Sequence, residues 1–307
     1  MRLAWFAIVA TTAWAAGPVD YVDPLIDTHN SRWIFFSSAC RPFGLVNLSP
    51  DTRTKGDWGA GYLYDEKYIR AISHIHDWQL AGVPVLPVTG PMKGHLGAET
   101  YKSAFSHDSE VARAGYHKVV LTDYRVTVEL TSTKRVGFHR YSFPAAPEAY
   151  VLFDIGSEIG PTKIQDARIR RVNPRELSGH STLAPTPRRK KPSTVYFIAR
   201  FDRDMDSFGR WRDGQVIAAD QPPGRDSGGF ARFHFSRPSR VLMKVAISYV
   251  SEEQARLNLR AELPGWNFDR AVKESAEEWN AWLGRIQVEG GTREQRVKFY
   301  TDLWHAL

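Results

Sequence analysis

From Leu45 to Val250 short apolar runs alternate with Gly, Pro, Asp and Asn. That spacing is the one expected of extended strands joined by turns. Val83–Val88, Val119–Thr122, Arg125–Thr131, Gly137–Phe143, Ala149–Asp154, Thr194–Phe201, Ala231–Phe235 and Val241–Tyr249 read as strands. Arg125–Thr131 has a clean two-residue period, with Val126, Val128 and Leu130 on one face and Thr127, Glu129 and Thr131 on the other. Many strands at short spacing, with no helical pattern between them, predict a mainly β fold, a large antiparallel β-sandwich over 17–250.

The period changes after Val250. Ser251 is placed to cap a short helix, with Gln254 as its reciprocal partner. Phe268–Ile286 carries apolar residues at 268, 271, 272, 276, 279, 282, 283 and 286, the stripe of an amphipathic helix with two Trp. Arg285–Glu289 suggests a brief strand. Thr292 and Gln295 then form a second capping box, followed by Val297, Tyr300, Trp304 and Leu307 on one face. This helix has a start signal and no Gly, Asn or Pro to stop it. Its aromatic stripe needs partners. Without them it is expected to be exposed and aggregation-prone; docking back on the sandwich is the alternative. The helical stretch divides into a linker over 251–291 and a final helix over 292–307.

Composition sharpens the setting. Met1 and Arg2 precede an apolar run from Leu3 to Ala16, which ends in the small residues Ala13, Ala15, Ala16 and Gly17. That is the shape of a secretory signal peptide over 1–16. The run is too short for a membrane span, so no membrane partner is expected; a buried N-terminal helix is the alternative. Cys40 is the only cysteine, which excludes an intrachain disulfide and a Cys-based zinc site. A secreted or periplasmic location fits both features. The net charge is +7, with basic clusters at Arg168–Arg171 and Arg188–Lys191. Pro185, Pro187 and Pro192 surround the second cluster, which reads as a solvated loop. Secretion argues against nucleic acid as a partner. The ten Trp supply core, interface, or a stacking surface for sugar rings.

Specific motifs now matter. Tyr21-Val22-Asp23-Pro24-Leu25-Ile26 is followed by Arg41-Pro42-Phe43-Gly44-Leu45-Val46-Asn47-Leu48-Ser49-Pro50-Asp51-Thr52. Gly61-Tyr62, Ile72-Ser73-His74-Ile75-His76, Val128–Tyr141, Ser248-Tyr249-Val250-Ser251 with Gln254-Ala255, and Phe299–His305 come after in order. The ordered set resembles glycoside hydrolase family 92, the calcium-dependent exo-acting α-mannosidases. The resemblance runs from Tyr21 to Leu307.

The resemblance implies an N-terminal β-sandwich, a helical linker and an (α/α) toroid, with 292–307 as the toroid's first helix. In the family the toroid carries the general acid, the general base and the calcium site. Inverting hydrolysis needs its two carboxyl groups roughly 6.5–9.5 Å apart, with room for water between them. No catalytic residue or metal ligand is therefore assigned to this chain. Its expected role is to shape a pocket for α-mannose-containing glycans, inactive until joined to the catalytic domain. A stand-alone carbohydrate-binding sandwich is the other possibility.

The candidate substrate contacts are His74, His76, Asp77 and Trp78 in one loop, Trp58 in a Gly-flanked loop, and Arg41 with Asp51 around Pro-Phe-Gly. Imidazole and carboxylate groups give directional hydrogen bonds to hydroxyls, and an indole covers a sugar's apolar face. For the histidines, a metal pair and a structural role at a domain junction stay open. For Arg41 and Asp51, a structural salt bridge stays open. Two segments depart from the family pattern. His29–Phe36 replaces a Gly-rich stretch, and Asp77–Gly82 replaces Leu-Ser-Gly-Thr-Gly. Both are expected in loops near the pocket.

Overall fold

A computed structural model describes residues 17–29, 38–55, 61–77, 80–160, 163–217 and 224–307. The signal-peptide segment 1–16, Trp58, Trp78 and most of His29–Phe36 lie outside these residues. Among the described residues no helix is long and apolar enough to cross a membrane.

Among the described residues the strands form two eight-stranded sheets and two two-stranded ones, and every pairing is antiparallel. The first runs Ala39–Cys40, Asn47–Asp51, Ala71–Ser73, Val85–Thr89, Ala146–Phe153, Gly228–Phe235, Ser207–Arg212, Gln215–Ile217. The second runs Ile164–Asn173, Glu176–Leu183, Ser193–Phe201, Ser239–Ser248, Val136–Phe143, Val126–Ser132, Tyr116–Leu121, Val111–Arg113. Their facing sides interleave in one core. Phe153 of the first sheet stacks on Phe197 of the second at 6.2 Å between ring centroids. This is the sandwich the alternation predicts, because each strand must bury one face against another layer.

The eight strands read from the sequence are all present, with ends shifted by a few residues. The hairpin Ile164–Asn173 with Glu176–Leu183 escaped that reading. Arg168, Arg170 and Arg171 break its apolar pattern, yet Ile164, Ala167 and Ile169 point inward. The first strand of this hairpin is a sheet edge, where outward cations discourage pairing with another chain. The cluster Arg188–Lys191 lies in the loop before Ser193–Phe201.

Among the described residues the α-helices are α1 (Ala98–Tyr101), α2 (Glu252–Glu262), α3 (Phe268–Leu283) and α4 (Arg293–His305). The Ser251 hydroxyl accepts from Gln254 N–H, as expected, but Gln254 Nε2 donates to Asn258 rather than back to the cap. Thr292 and Gln295 do form a reciprocal capping box. Arg285–Glu289 is not a strand: Gly284 ends α3, and the chain turns into α4. The outer face of the second sheet is covered by α2 and the start of α3, through Phe138, Ile198, Leu259 and Phe268.

The expected exposed stripe on α4 is a correction. Tyr300 and Trp304 are buried at 4% and 5% exposure, packed with Val22, Ala114, Trp279 and Leu283. Tyr300 stacks on Tyr21 at 5.7 Å, and Trp304 meets Trp279 at 5.9 Å. The segment after Gly17 supplies the missing surface. Val19 N–H donates to Asn280 Oδ1 at 2.9 Å, and Asp23 N–H to Thr301 Oγ1 at 3.0 Å. Burial of these aromatics offsets the ordering cost of the segment, so α4 has partners within the chain.

Candidate functional site

The strand Asn47–Asp51 carries the first group of candidate residues into the interior. Arg41, just before it, spans to α3. Its Nε donates to Ser132 O at 2.8 Å, Nη1 to Glu278 at 2.7 Å and Nη2 to Ala271 O at 3.2 Å. Its side chain is 7% exposed. The planar fork is spent on fastening helix to sheet, which is what guanidinium geometry suits. A sugar-gripping Arg41 is therefore corrected to a fastening one.

Asp51, His74 and His76 are also turned inward, and the expected sugar contact is corrected for all three. Asp51 and His74 are fully buried. His76 Nε2 lies 2.7 Å from Asp51 Oδ1, its Nδ1 lies 2.6 Å from Asn47 O, and Ser73 donates to Asp51 Oδ2. His74 Nδ1 meets Val83 O at 2.7 Å, and its Nε2 meets His139 Nε2 at 2.8 Å. His139 Nδ1 in turn meets Tyr141 Oη at 2.9 Å. Every ring nitrogen of these three histidines has an internal partner, so neither a hydroxyl nor a metal is free to take one. Burial pushes His74 down to about 4 and His139 well down. The neighbouring Asp51 carboxylate outweighs burial at His76 and pushes it up. Asp77 ends the strand Ile75–Asp77, and its side chain lies outside the described residues.

An open cleft lies on the other side of this network. It holds 510 Å³ and is lined by Thr54, Lys55, Ala71, Pro84, Leu96–Glu99, Tyr101, Asp154 and Ser157–Gly160. Ala71 pairs with Asp51 across two strands, so the buried network backs the cleft wall. Asp154 follows the strand Ala146–Phe153 and is 4% exposed. Tyr101, at the end of α1, donates its hydroxyl to Asp154 Oδ2. Burial raises the Asp154 carboxyl to about 6 and holds the Tyr101 phenol well above its usual range. Glu99 is tied to Arg70 at 2.6 Å and to Lys102 at 2.8 Å, and these cations lower its carboxyl to about 2. The cleft therefore offers hydroxyls, a lysine and fixed carboxylates above an apolar floor. That mixture suits a small polyol. The sequence reading missed Tyr101 and Asp154. A carboxylate closing an apolar strand, in Phe153-Asp154-Ile155-Gly156, was the available signal.

A second cleft of 980 Å³ lies between Val19–Asp23, Val111–Ala114, α3 and α4. Among the described residues, Asp27, Asp302 and His305 form a group that brings three possible metal ligands together, all exposed. Lys298 already holds Asp302, at 2.5 and 2.6 Å. Calcium takes six to eight oxygen ligands, and an imidazole with two carboxylates, one of them neutralised, does not fit it.

Comparison with known proteins gives this architecture a context. The profile of the glycosyl hydrolase family 92 N-terminal domain matches residues 21–248, and that of the family 92 catalytic domain matches residues 254–307. A family GH92 α-mannosidase from Bacteroides thetaiotaomicron is similar in structure, with a TM-score of 0.86 and 26% identity, over 96% of this chain and 41% of that one. The same enzyme in complex with mannoimidazole gives 0.85 and 26%, over 95% and 40%. A family GH92 inverting mannosidase from Bacteroides thetaiotaomicron shares the fold at a TM-score of 0.81 and 23% identity, over 95% and 39%. A curated protein described as an uncharacterized secreted glycosidase, from Arthroderma benhamiae, is 24% identical over 88% of this chain and 38% of its own length. The chain thus spans about two-fifths of the length of these relatives.

Proposed function

The chain belongs to glycosyl hydrolase family 92, and from that membership we propose that it is the sandwich part of a secreted α-mannosidase. In this reading residues 17–250 form one wall of a pocket for α-mannose-containing glycans. The helices from Ser251 onward join that wall to the helical catalytic domain. The observation that carries the reading is the pair of consecutive family matches, 21–248 and 254–307, on a chain that superposes throughout on α-mannosidases of the family.

The pairing of the cleft carboxylates supports assigning no turnover to the sandwich alone. Inverting hydrolysis needs one carboxylic acid to protonate the leaving oxygen and one carboxylate, on the opposite face, to activate water. In the cleft Asp154 is committed to Tyr101, and Glu99 to Arg70 and Lys102. Acid, base and calcium are assigned to the helical domain. The cleft beside Asp154 is assigned to glycan contact.

The test is an assay of the 307-residue chain on an aryl α-mannoside with calcium, paired with titration of mannoimidazole followed by NMR. No turnover is expected, with weak, millimolar shifts at Ser157 and Gly160. Turnover abolished by Asp154→Asn would move the chemistry onto the sandwich and overturn the reading. Millimolar mannoimidazole leaving the cleft resonances unmoved would remove the cleft from the binding surface.

A further inference from the structure

Beyond Ser73 the chain leaves the first sheet. Ile75–Asp77 pairs only with Leu80–Gly82, in a hairpin of its own. Backbone bonds end at Asn47 N–H to His74 O, 2.9 Å. After that, side chains make the connection. Asn47 Nδ2 donates to His76 O at 3.4 Å, and the His76 ring reaches Asn47 O and Asp51.

Donor counting fixes the proton content of that ring. Asn47 O is a carbonyl and only accepts, so His76 Nδ1 carries a hydrogen. A neutral ring would then present a lone pair from Nε2 to Asp51 Oδ1, with two lone pairs facing each other across 2.7 Å. The contact is bonding only if one more proton sits on the Nε2–Oδ1 bridge. Ser73 Oγ supplies the other Asp51 oxygen with a donor, so that oxygen needs no proton. The histidine pair behind it gives the opposite result. His74 Nδ1 donates to Val83 O, His139 Nε2 donates to His74 Nε2, and Tyr141 donates to His139 Nδ1. That chain is complete with both rings neutral.

We propose that Asp51 and His76 form a proton-operated latch: one bridging proton fastens the paired strands Ile75–Asp77 and Leu80–Gly82 to the strand Asn47–Asp51, and rising pH releases them. The groups facing the latch are Ser73 and His74 from the strand leading into the hairpin, His139 from the second sheet, and Tyr101 with Asp154 beyond Asp51. Asp51 is fully buried and the His76 side chain is 3% exposed, so water cannot replace the lost bond. Both residues act by position, behind the cleft wall at Ala71. Importance of the latch for glycan contact rests on the function proposed above; the latch itself does not.

The decisive variant is Asp51→Asn. The amide can donate to a neutral His76 Nε2 and accept from Ser73, which keeps every bond and removes the need for the proton. Nitrogen-15 NMR of the intact chain reads the ring directly. His76 should carry hydrogens on both nitrogens at neutral pH and titrate at least about one pH unit higher than in Asp51→Asn, a tenfold difference in proton affinity. Hydrogen exchange at the Gly82 and Ile75 amides should rise above the intrinsic pH dependence in the native protein, and not in Asp51→Asn. A His76 ring with a single hydrogen at neutral pH in the native protein overturns the proposal without recourse to any variant. Equal exchange profiles in both proteins overturn it too. Neither outcome depends on whether the cleft binds a mannoside.

Discussion

His74 Nε2 lies 2.8 Å from His139 Nε2 in the sandwich interior, and one proton between them serves both rings. Each ring is fully buried. A second proton would place a charge where no carboxylate touches either ring. Burial accordingly pushes His74 from 6.5 to about 4 and His139 well down.

The sign of the resulting pH dependence follows. Between pH 6.5 and about 4 the unfolded chain binds protons that the folded chain refuses. The contribution of this pair is fully present above pH 6.5 and is lost as pH falls towards 4. Urea midpoints measured across that window should fall steadily. A midpoint that stays level would show that the pair is hydrated or carries a charge.

Gly137 lies against the same pair. A Cβ added there would meet His74 Cδ2 at 2.7 Å and Leu48 Cδ2 at 3.3 Å. Gly137→Ala should cost about 1–3 kcal/mol by overpacking, read as a lower midpoint with an unchanged slope.

Trp304 ties α4 to the rest of the chain. Trp304→Ala should cost about 3–5 kcal/mol. Deleting 292–307 exposes Trp279, Leu283 and Val22, so the shortened chain should melt lower and aggregate more readily. A shortened chain that melts at the same temperature would show that α4 is dispensable for the sandwich.

Arg41→Lys removes the planar fork and keeps the charge. Lysine cannot span Ser132 O, Glu278 and Ala271 O together, so stability should fall by about 1–3 kcal/mol. Hydrogen exchange in α3 should rise more than exchange in the strand Ser239–Ser248. A loss spread evenly over the chain would argue against a local fastening role.

The sandwich was legible because strand burial writes a two-residue period, as in Val126, Val128 and Leu130. It was illegible where an edge strand carries its charges outward, as at Arg168 and Arg170. The capping boxes were half legible. Ser251 and Thr292 cap as read, but Gln254 found a stronger partner in Asn258. For the site, the sequence brought Asp51, His74 and His76 to attention as polar residues in a family motif. It could not say that they face inward, since that depends on His139 and Asn47, 65 and 29 residues away. Tyr101 and Asp154 meet across 53 residues, and the carboxylate closing an apolar strand at Asp154 does not by itself point to Tyr101.

By itself, then, the sequence determined the mainly β class, the change to helices after Val250 and the family. These follow from local periodicity and from motifs whose order survives any packing. Only the tertiary structure decided which polar residues are spent inside and which remain available. It also decided that α4 finds its partners in Val19–Asp23. Both outcomes depend on surfaces brought together from distant parts of the chain, where burial makes an unpaired polar group or a bare aromatic face too costly to leave.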